Sequence, residues 1–259
     1  MNPSSAQQLF GLLGKKLGHS FSKGYFSQKF QEEKLSNCAY QNFEIPTINA
    51  FLDIWNDQPK LRGMNVTIPY KESVIPFLDR LDPIAKRVGA VNTIVKSGTQ
   101  LHGFNTDVIG FHASLKNMIH GHKIDRALIL GSGGASKAVS FTLMCMRIPH
   151  KIVSRTPHKE QISYDQLTKL ILENHQLIIN TTPLGTYPKT DECPPIPYPL
   201  LTRNNYLHDL IYNPEKSLFL QRGEDYECIV KNGAEMLVIQ AEASWKIWKQ
   251  YYSISHDRL

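Results

Sequence analysis

The sequence lacks several features, and each absence narrows what the protein can be. No apolar run reaches the roughly 18 residues that a membrane-spanning helix requires. The opening Met1-Asn2-Pro3-Ser4-Ser5-Ala6-Gln7-Gln8 has neither the charged start nor the long apolar stretch of a secretory signal, so the expected compartment is the cytoplasm. Cysteine is scarce. Cys38, Cys145, Cys193 and Cys228 lie far apart, and no pair has the two-residue gap of a redox or zinc motif, so reduced thiols are expected. His120 and His122 flank a glycine not far from His112, but that spacing alone is not a zinc ligand set, and no metal is expected. Internal repeats and low-complexity tracts are missing. Lys and Arg never run longer than two, so the net charge of +6 forms no basic stripe for a nucleic acid. That charge favours small anionic ligands instead.

What is present is an ordinary globular composition: 259 residues, 41% hydrophobic and 20% charged. The length suits one large domain or two small ones. Strand and helix signals alternate. Residues 9–14, 39–43 and 61–66 read as strands, and 25–34, 48–55, 72–78 and 83–88 as helices. Residues 91–96 and 101–104 flank the turn Ser97-Gly98-Thr99 and read as a hairpin. A helix over 106–118 precedes a polar stretch at 119–125, read as the join to a second unit. There, 126–130, 137–146 and 151–154 form a strand–helix–strand of about 30 residues. A helix at 164–173, strands at 177–180, 207–210 and 227–230, a proline-rich loop at 183–201 and a closing helix at 234–252 complete the reading. The alternation predicts an α/β fold with a mostly parallel open sheet.

The chemistry gathers at strand ends. Gly131-Ser132-Gly133-Gly134-Ala135-Ser136 follows a strand and opens a helix. Glycine there permits a tight turn and lets a phosphate approach bare backbone at a helix N-terminus, which points to a dinucleotide. The next strand ends in Ser154-Arg155-Thr156, with His158 and Lys159 behind and no carboxylate before Glu160. An NAD site usually places Asp or Glu there for the ribose hydroxyl, whereas guanidinium and hydroxyl donors suit a 2′-phosphate, so NADP is expected. In the first half, Gly18-His19-Ser20-Phe21-Ser22, Asn65 and Thr67 with Lys71, and Asn92-Thr93 with Asn105-Thr106-Asp107 put polar side chains into apolar surroundings. Taken singly, each is a helix cap or a solvated residue. Together they suggest a cleft for a polyhydroxylated ligand.

Read in order, these motifs resemble the shikimate dehydrogenase family. The likeness is carried by Gly18-His19-Ser20-Phe21-Ser22, by Gly63-Met64-Asn65-Val66-Thr67-Ile68-Pro69-Tyr70-Lys71, and by Gly89-Ala90-Val91-Asn92-Thr93. It continues through Gly103-Phe104-Asn105-Thr106-Asp107, the glycine turn, Asn180-Thr181-Thr182-Pro183-Leu184-Gly185, Asp209-Leu210-Ile211-Tyr212 and residues 232–241. The resemblance implies two α/β domains with the active site between them. Residues 1–106 with 233–259 would bind substrate, and 107–232 would be a Rossmann-like NADP domain. Lys71 and Asp107 would be the catalytic pair. Ser20 and Ser22 would hold the substrate carboxylate, and Asn65, Thr67, Lys71, Asn92, Asp107, Tyr212 and Gln240 would serve the hydroxyls and the reacting oxygen. Gly131, Ser132, Gly133, Gly134, Ala135, Ser154, Arg155, Thr156, Lys159, Leu210 and Gly233 would contact NADP. The implied reaction is NADP-dependent interconversion of 3-dehydroshikimate and shikimate by a monomer or homodimer. The alternatives are an NAD-using quinate/shikimate dehydrogenase and a non-catalytic dinucleotide-binding protein. The chain departs from the family at Ser154, where Asn is frequent, and at Lys16-Leu17, where a Pro-Ile pair is frequent.

Overall fold

A computed structural model describes residues 7–18 and 20–252. The chain divides into two compact units, Met1–Thr106 with Ala241–Leu259, and Asp107–Gln240.

The first unit contains β1 (Gln8–Gly14), α1 (Phe21–Glu32), β2 (Cys38–Glu44), α2 (Phe51–Asp57), β3 (Leu61–Val66), β4 (Arg80–Leu81), α3 (Pro83–Val88), β5 (Thr93–Ser97) and β6 (Gln100–Phe104). The sheet order is β2-β1-β3-β5-β6-β4. β1 runs parallel to β2 and β3, and the β5–β6 hairpin joins β3 antiparallel. The strand order reverses at β1, so the loops after β1 and β3 open at a switch point, the usual position for a ligand crevice. Helix α3 shows how local sequence sets its bounds. The Asp82 carboxylate accepts from the amides of Ile84 and Ala85, Pro83 opens the helix, and Gly89 closes it in the left-handed region.

The second unit contains α4 (Asp107–Ile119), β7 (Ala127–Leu130), α5 (Gly134–Cys145), β8 (His150–Val153), α6 (Lys169–Asn174), β9 (Leu177–Asn180), β10 (Tyr206–Asp209), α7 (Leu218–Glu224), β11 (Ile229–Lys231) and the start of α8 (Ala234–Tyr251). Its five strands are all parallel, in the order β11-β10-β9-β7-β8. β7 and β9 are fully buried along their length, which is why Ala-Leu-Ile-Leu and Leu-Ile-Ile-Asn read as unbroken apolar runs.

Several expectations need correcting. Residues 72–78 are turns followed by a 3-10 segment at Ile75–Phe77, where Pro76 has no amide to continue an α-helix. The helix at 164–173 is two pieces: a 3-10 turn at Tyr164–Gln166, then α6, restarted by Thr168, whose hydroxyl accepts from the Ile171 amide. The polar stretch at 119–125 is not the join, because the units divide at Thr106 and α4 belongs to the second. Residues 233–240 likewise cluster with the second unit rather than the first. β4 and α7 were not anticipated.

The last part of α8 builds the first unit's aromatic core. Trp248 is fully buried, stacks on Phe10 at 4.8 Å and donates its indole N–H to the Ile94 carbonyl at 2.9 Å. Trp245 meets Phe10 edge-on at 5.5 Å. Trp248→Ala removes ring and hydrogen bond together, so it should cost about 3–5 kcal/mol. Urea unfolding followed by circular dichroism measures this, and a loss under about 1 kcal/mol would remove α8 from the core of the first unit.

Candidate active site

In the first unit, the residues expected to hold a ligand stand at the carboxyl ends of β1 and β3 and in front of β5. The loop after β1 is anchored at Leu17, whose amide donates to Glu44 Oε1 at 2.6 Å and whose carbonyl accepts from Asn42 Nδ2 at 3.1 Å. Ser20 occupies the N-cap position of α1, but its side chain makes no capping bond. Its hydroxyl oxygen is buried and has no hydrogen-bond partner among the described residues. A buried hydroxyl left in this state costs free energy until something bonds it, which fits a ligand oxygen and disfavours a structural cap. His19, in the same motif, lies outside the described residues. Ser22 is buried in the first turn of α1.

Thr67 follows β3 directly and is half-buried, its amide tied to the Leu13 carbonyl at 2.9 Å. Lys71 lies half-buried in a turn, where its carbonyl accepts from the Val91 amide at 2.7 Å. Ile68, between them, is 64% exposed, an open apolar surface that sequence reasoning passed over.

Asn65 and Asn92 lie deeper than the sequence suggested, inside a buried polar network. Asn65 Nδ2 donates to the Asn92 carbonyl (3.2 Å), Thr93 Oγ1 (3.2 Å) and Ser244 Oγ (3.0 Å), while its Oδ1 accepts from the Tyr40 hydroxyl at 2.9 Å. Asn92 Nδ2 donates to Thr106 Oγ1 at 2.9 Å, and its Oδ1 accepts from the Thr106 amide at 2.7 Å. Thr93 and Ser244 hydroxyls are 2.8 Å apart. Tyr40 and Ser244 were not singled out from sequence. The available signal was that two buried carboxamides in apolar strands need partners.

In the second unit, Asp107 is buried at the first position of α4, a favourable place for a carboxylate at a helix N-terminus. The glycine turn follows β7. Gly131 has φ of 107°, and a Cβ there would lie 2.8 Å from Thr181 Oγ1, so both conformation and space require glycine. Gly133 is the N-cap of α5 and exposed, as is Ser132, while Gly134 and Ala135 are half-buried; Ser136, at the third fingerprint position, is buried. β7 and β9 adjoin where the strand order reverses, and Thr181 bonds the Leu130 carbonyl through its hydroxyl at 2.7 Å.

At the end of β8, Ser154 is buried. Its hydroxyl accepts from the Thr156 amide at 3.3 Å and donates to the Thr156 carbonyl at 3.2 Å, closing a small turn. Arg155 and Thr156 stand exposed on it, and Lys159 is exposed on the loop that follows. The Arg155 charge acts on the Tyr164 phenol, whose pKa burial raises and the guanidinium partly restores. Leu210 and Gly233 are in close approach: the Gly233 amide donates to the Ile211 carbonyl at 2.8 Å, and a Cβ on Gly233 would sit 2.2 Å from the Leu210 carbonyl oxygen. Tyr212 is half-buried, and Gln240 Nε2 donates to the Leu237 carbonyl at 2.9 Å. The bare turn, the helix N-terminus behind it and the carboxylate-free cationic strand end fit a dinucleotide carrying an extra phosphate. Among the described residues, no group of three His, Cys, Asp or Glu could hold a metal, and no helix is long and apolar enough to cross a membrane.

These features define a two-unit α/β protein with a dinucleotide-type parallel sheet. A family model for the shikimate dehydrogenase substrate binding domain matches residues 12–94. The shikimate dehydrogenase (NADP(+)) of Clostridium beijerinckii is 37% identical over 251 residues, covering 94% of this chain and 92% of that protein. Among solved structures, a shikimate dehydrogenase in complex with NADP+ superposes with a TM-score of 0.85 at 30% identity, over 96% of this chain and 92% of that one. The Thermus thermophilus enzyme, solved with NADP(H) and shikimate, gives 0.83 at 28% identity, covering 94% of each. The chain belongs to the shikimate dehydrogenase family.

Two adjacent residues in β10 titrate against one another. Asp209 accepts from Asn180 Nδ2 (3.0 Å), the Ile211 amide (3.0 Å) and the Ser217 hydroxyl (2.5 Å), yet burial pushes its pKa up to about 6. Burial, aided by the Lys231 charge, holds His208 down at about 3, its Nε2 3.0 Å from the Ser114 hydroxyl. Between about pH 6 and pH 4 the folded Asp209 binds more proton than the unfolded chain, so its contribution to stability grows as pH falls. Over the same range the folded His208 binds less, so its contribution shrinks, and the two slopes of about 1.4 kcal/mol per pH unit offset each other. Asp209→Asn removes one of them. The variant should lose stability relative to the unmodified protein by about 1.4 kcal/mol per unit from pH 6 to pH 4. Urea unfolding at pH 7, 6, 5 and 4 measures the difference, and parallel curves would show that Asp209 does not titrate there.

Proposed function

We propose that this chain is an NADP-dependent oxidoreductase that interconverts 3-dehydroshikimate and shikimate. The observation that carries the reading is the pairing, in one chain, of a carboxylate-free cationic strand end beside a glycine turn with strand-end hydroxyl, amide and ammonium groups that follow the family pattern. The 37% identity to an NADP(+)-dependent relative over nearly the whole chain supports it. Bound NADPH supplies the hydride. Lys71 stabilises the negative charge that develops on the substrate oxygen and delivers its proton. Asp107 and Gln240 bond substrate hydroxyls, with Thr67, Asn92 and Tyr212. Ser20 and Ser22 hold the carboxylate, the free Ser20 hydroxyl finding its missing partner there. Residues 107–232 serve the cofactor, and 1–106 with the end of the chain serve the substrate. The protein acts in the cytoplasm as a monomer or homodimer, and its four free thiols suit a reducing compartment.

Arg155→Ala tests the cofactor. One lost charge-assisted phosphate bond is about 1.5–3 kcal/mol, so the Michaelis constant for NADP should rise roughly ten- to a hundredfold, and that for NAD far less. Equal changes with both cofactors would sink the 2′-phosphate assignment.

Lys71→Met tests the chemistry, because it keeps the stem and removes the charge. An interaction strongest in the transition state appears in turnover. Turnover with shikimate and NADP should fall by about a hundredfold or more, while the Michaelis constant for shikimate moves by under about tenfold. Near-normal turnover at neutral pH would make Lys71 a surface residue.

A further inference from the structure

The turn that carries Ser20 hangs on a single buried residue. Lys15, Lys16 and Gly18 are exposed, while Leu17 is 5% exposed and belongs to the aromatic core with Phe10 and Phe26. A Cβ on Gly18 would meet nothing within 4 Å, so the turn makes no close packing contact there. Apolar burial fixes where Leu17 sits, but it is non-directional and does not set which way the peptide faces. That direction comes from β2. Asn42 and Glu44 are two residues apart on the strand, so their side chains leave the same face. They are the register partners of Leu12 and Gly14, and both reach on to Leu17. Glu44 Oε1 accepts from the Leu17 amide at 2.6 Å, as short as charge-assisted bonds run. Asn42 Nδ2 donates to the Leu17 carbonyl at 3.1 Å. The same carbonyl accepts from the Ser20 amide at 3.0 Å. Both backbone polar groups of Leu17 are thus held, and one of them is the acceptor on which the turn to Ser20 closes.

Asn42 keeps this orientation at a cost. A carbonyl accepts only from a donor, which turns Nδ2 toward Leu17 and leaves Oδ1 buried with no partner among the described residues. An orphaned buried acceptor is destabilising, so stability alone does not account for a carboxamide at this position. What the carboxamide supplies is placement. The Ser20 hydroxyl is likewise buried without a partner among the described residues, and it bonds a ligand oxygen well only if the turn beneath it is already ordered. We infer that Glu44 and Asn42 are positioning residues: through the Leu17 backbone they hold the turn whose Ser20 hydroxyl binds the substrate carboxylate. Their effect reaches the ligand only through Leu17 and Ser20. The inference rests on the oxidoreductase reading above and deepens it.

The test measures turnover and the Michaelis constants for shikimate and NADP in the full chain, with thermal melting as the check on folding. Glu44→Ala removes the acceptor for the Leu17 amide. The Michaelis constant for shikimate should rise about tenfold, the equivalent of one hydrogen bond, while turnover and the constant for NADP stay within about threefold. Glu44→Gln keeps an oxygen for the same amide and should return the shikimate constant to within about threefold of the unmodified protein. Asn42→Leu keeps the shape, leaves the Leu17 carbonyl its bond from Ser20 and deletes the orphaned oxygen. It should melt no lower than the unmodified protein, yet raise the shikimate constant about tenfold. In a Ser20→Ala background the route to the ligand is gone, so Glu44→Ala should add less than about twofold. A shikimate constant unchanged by Glu44→Ala and Asn42→Leu in folded protein overturns the positioning role alone. So does a Glu44→Ala penalty that is equal with and without Ser20. No turnover of shikimate by the folded, unmodified protein with either NADP or NAD overturns both the positioning role and the function on which it rests.

Discussion

A primary carboxamide taken out of water must find partners for both its oxygen and its nitrogen, and the first unit buries two of them side by side. Asn65 is the penultimate residue of β3 and Asn92 precedes β5. Their partners come from Tyr40 on β2, from Thr93 on β5, from Thr106 after β6 and from Ser244 on α8. Each partner sits on a different stretch of chain, so meeting the needs of two amides fixes several elements at once. Losing one partner leaves a buried donor or acceptor unsatisfied, at a cost of about 1–3 kcal/mol, which makes the arrangement close to all-or-none. Trp248 adds a bond of the same kind, from α8 to the Ile94 carbonyl. The loops that carry Ser20, Thr67 and Lys71 thus leave a sheet end that is held by polar bonds as well as by apolar packing. Pre-organisation of this sort is what a site needs if binding energy is not to be spent on ordering its own side chains.

Much of this was legible in the sequence, and the parts that were not share a cause. β3, α3 and β9 fall where they were expected, because each has a sharp local boundary: glycine or proline, a capping Asp, or an unbroken apolar run between polar residues. Periodicity fails where a side-chain hydrogen bond interrupts it. Residues 164–173 carry one continuous helical pattern, yet Thr168 opens a new helix inside it, because its hydroxyl competes for the amide that the pattern would have used. β4 is two residues long, too short to show any period. In α7, Gly223 dilutes the apolar signal although Ser217 caps the helix well. The candidate site shows the same division. Glycine, serine and lysine positions stand out one by one. Tyr40 and Ser244 do not, because a Tyr in a strand and a Ser in a helix look ordinary until the amides they serve are found across the fold.

The end of β8 shows how a departure from the family pattern can leave its physics intact. The family often has Asn where this chain has Ser154. Asn and Ser share one relevant ability: a short side-chain oxygen that bonds its own backbone two residues on and closes a turn. Ser154 does this with both the amide and the carbonyl of Thr156. Its hydroxyl is buried by that turn, with the Ser132 hydroxyl 3.4 Å away. The groups that the turn leaves exposed to a ligand are its neighbours, Arg155 and Thr156, with Lys159 on the following loop. The requirement on position 154 is geometric: it must fold the strand end back on itself so that a guanidinium and a hydroxyl point outward together. A shorter residue that makes the same local bonds meets that requirement. Under the proposed function, phosphate selectivity would then depend on the charge at position 155 and on the absence of a carboxylate before Glu160.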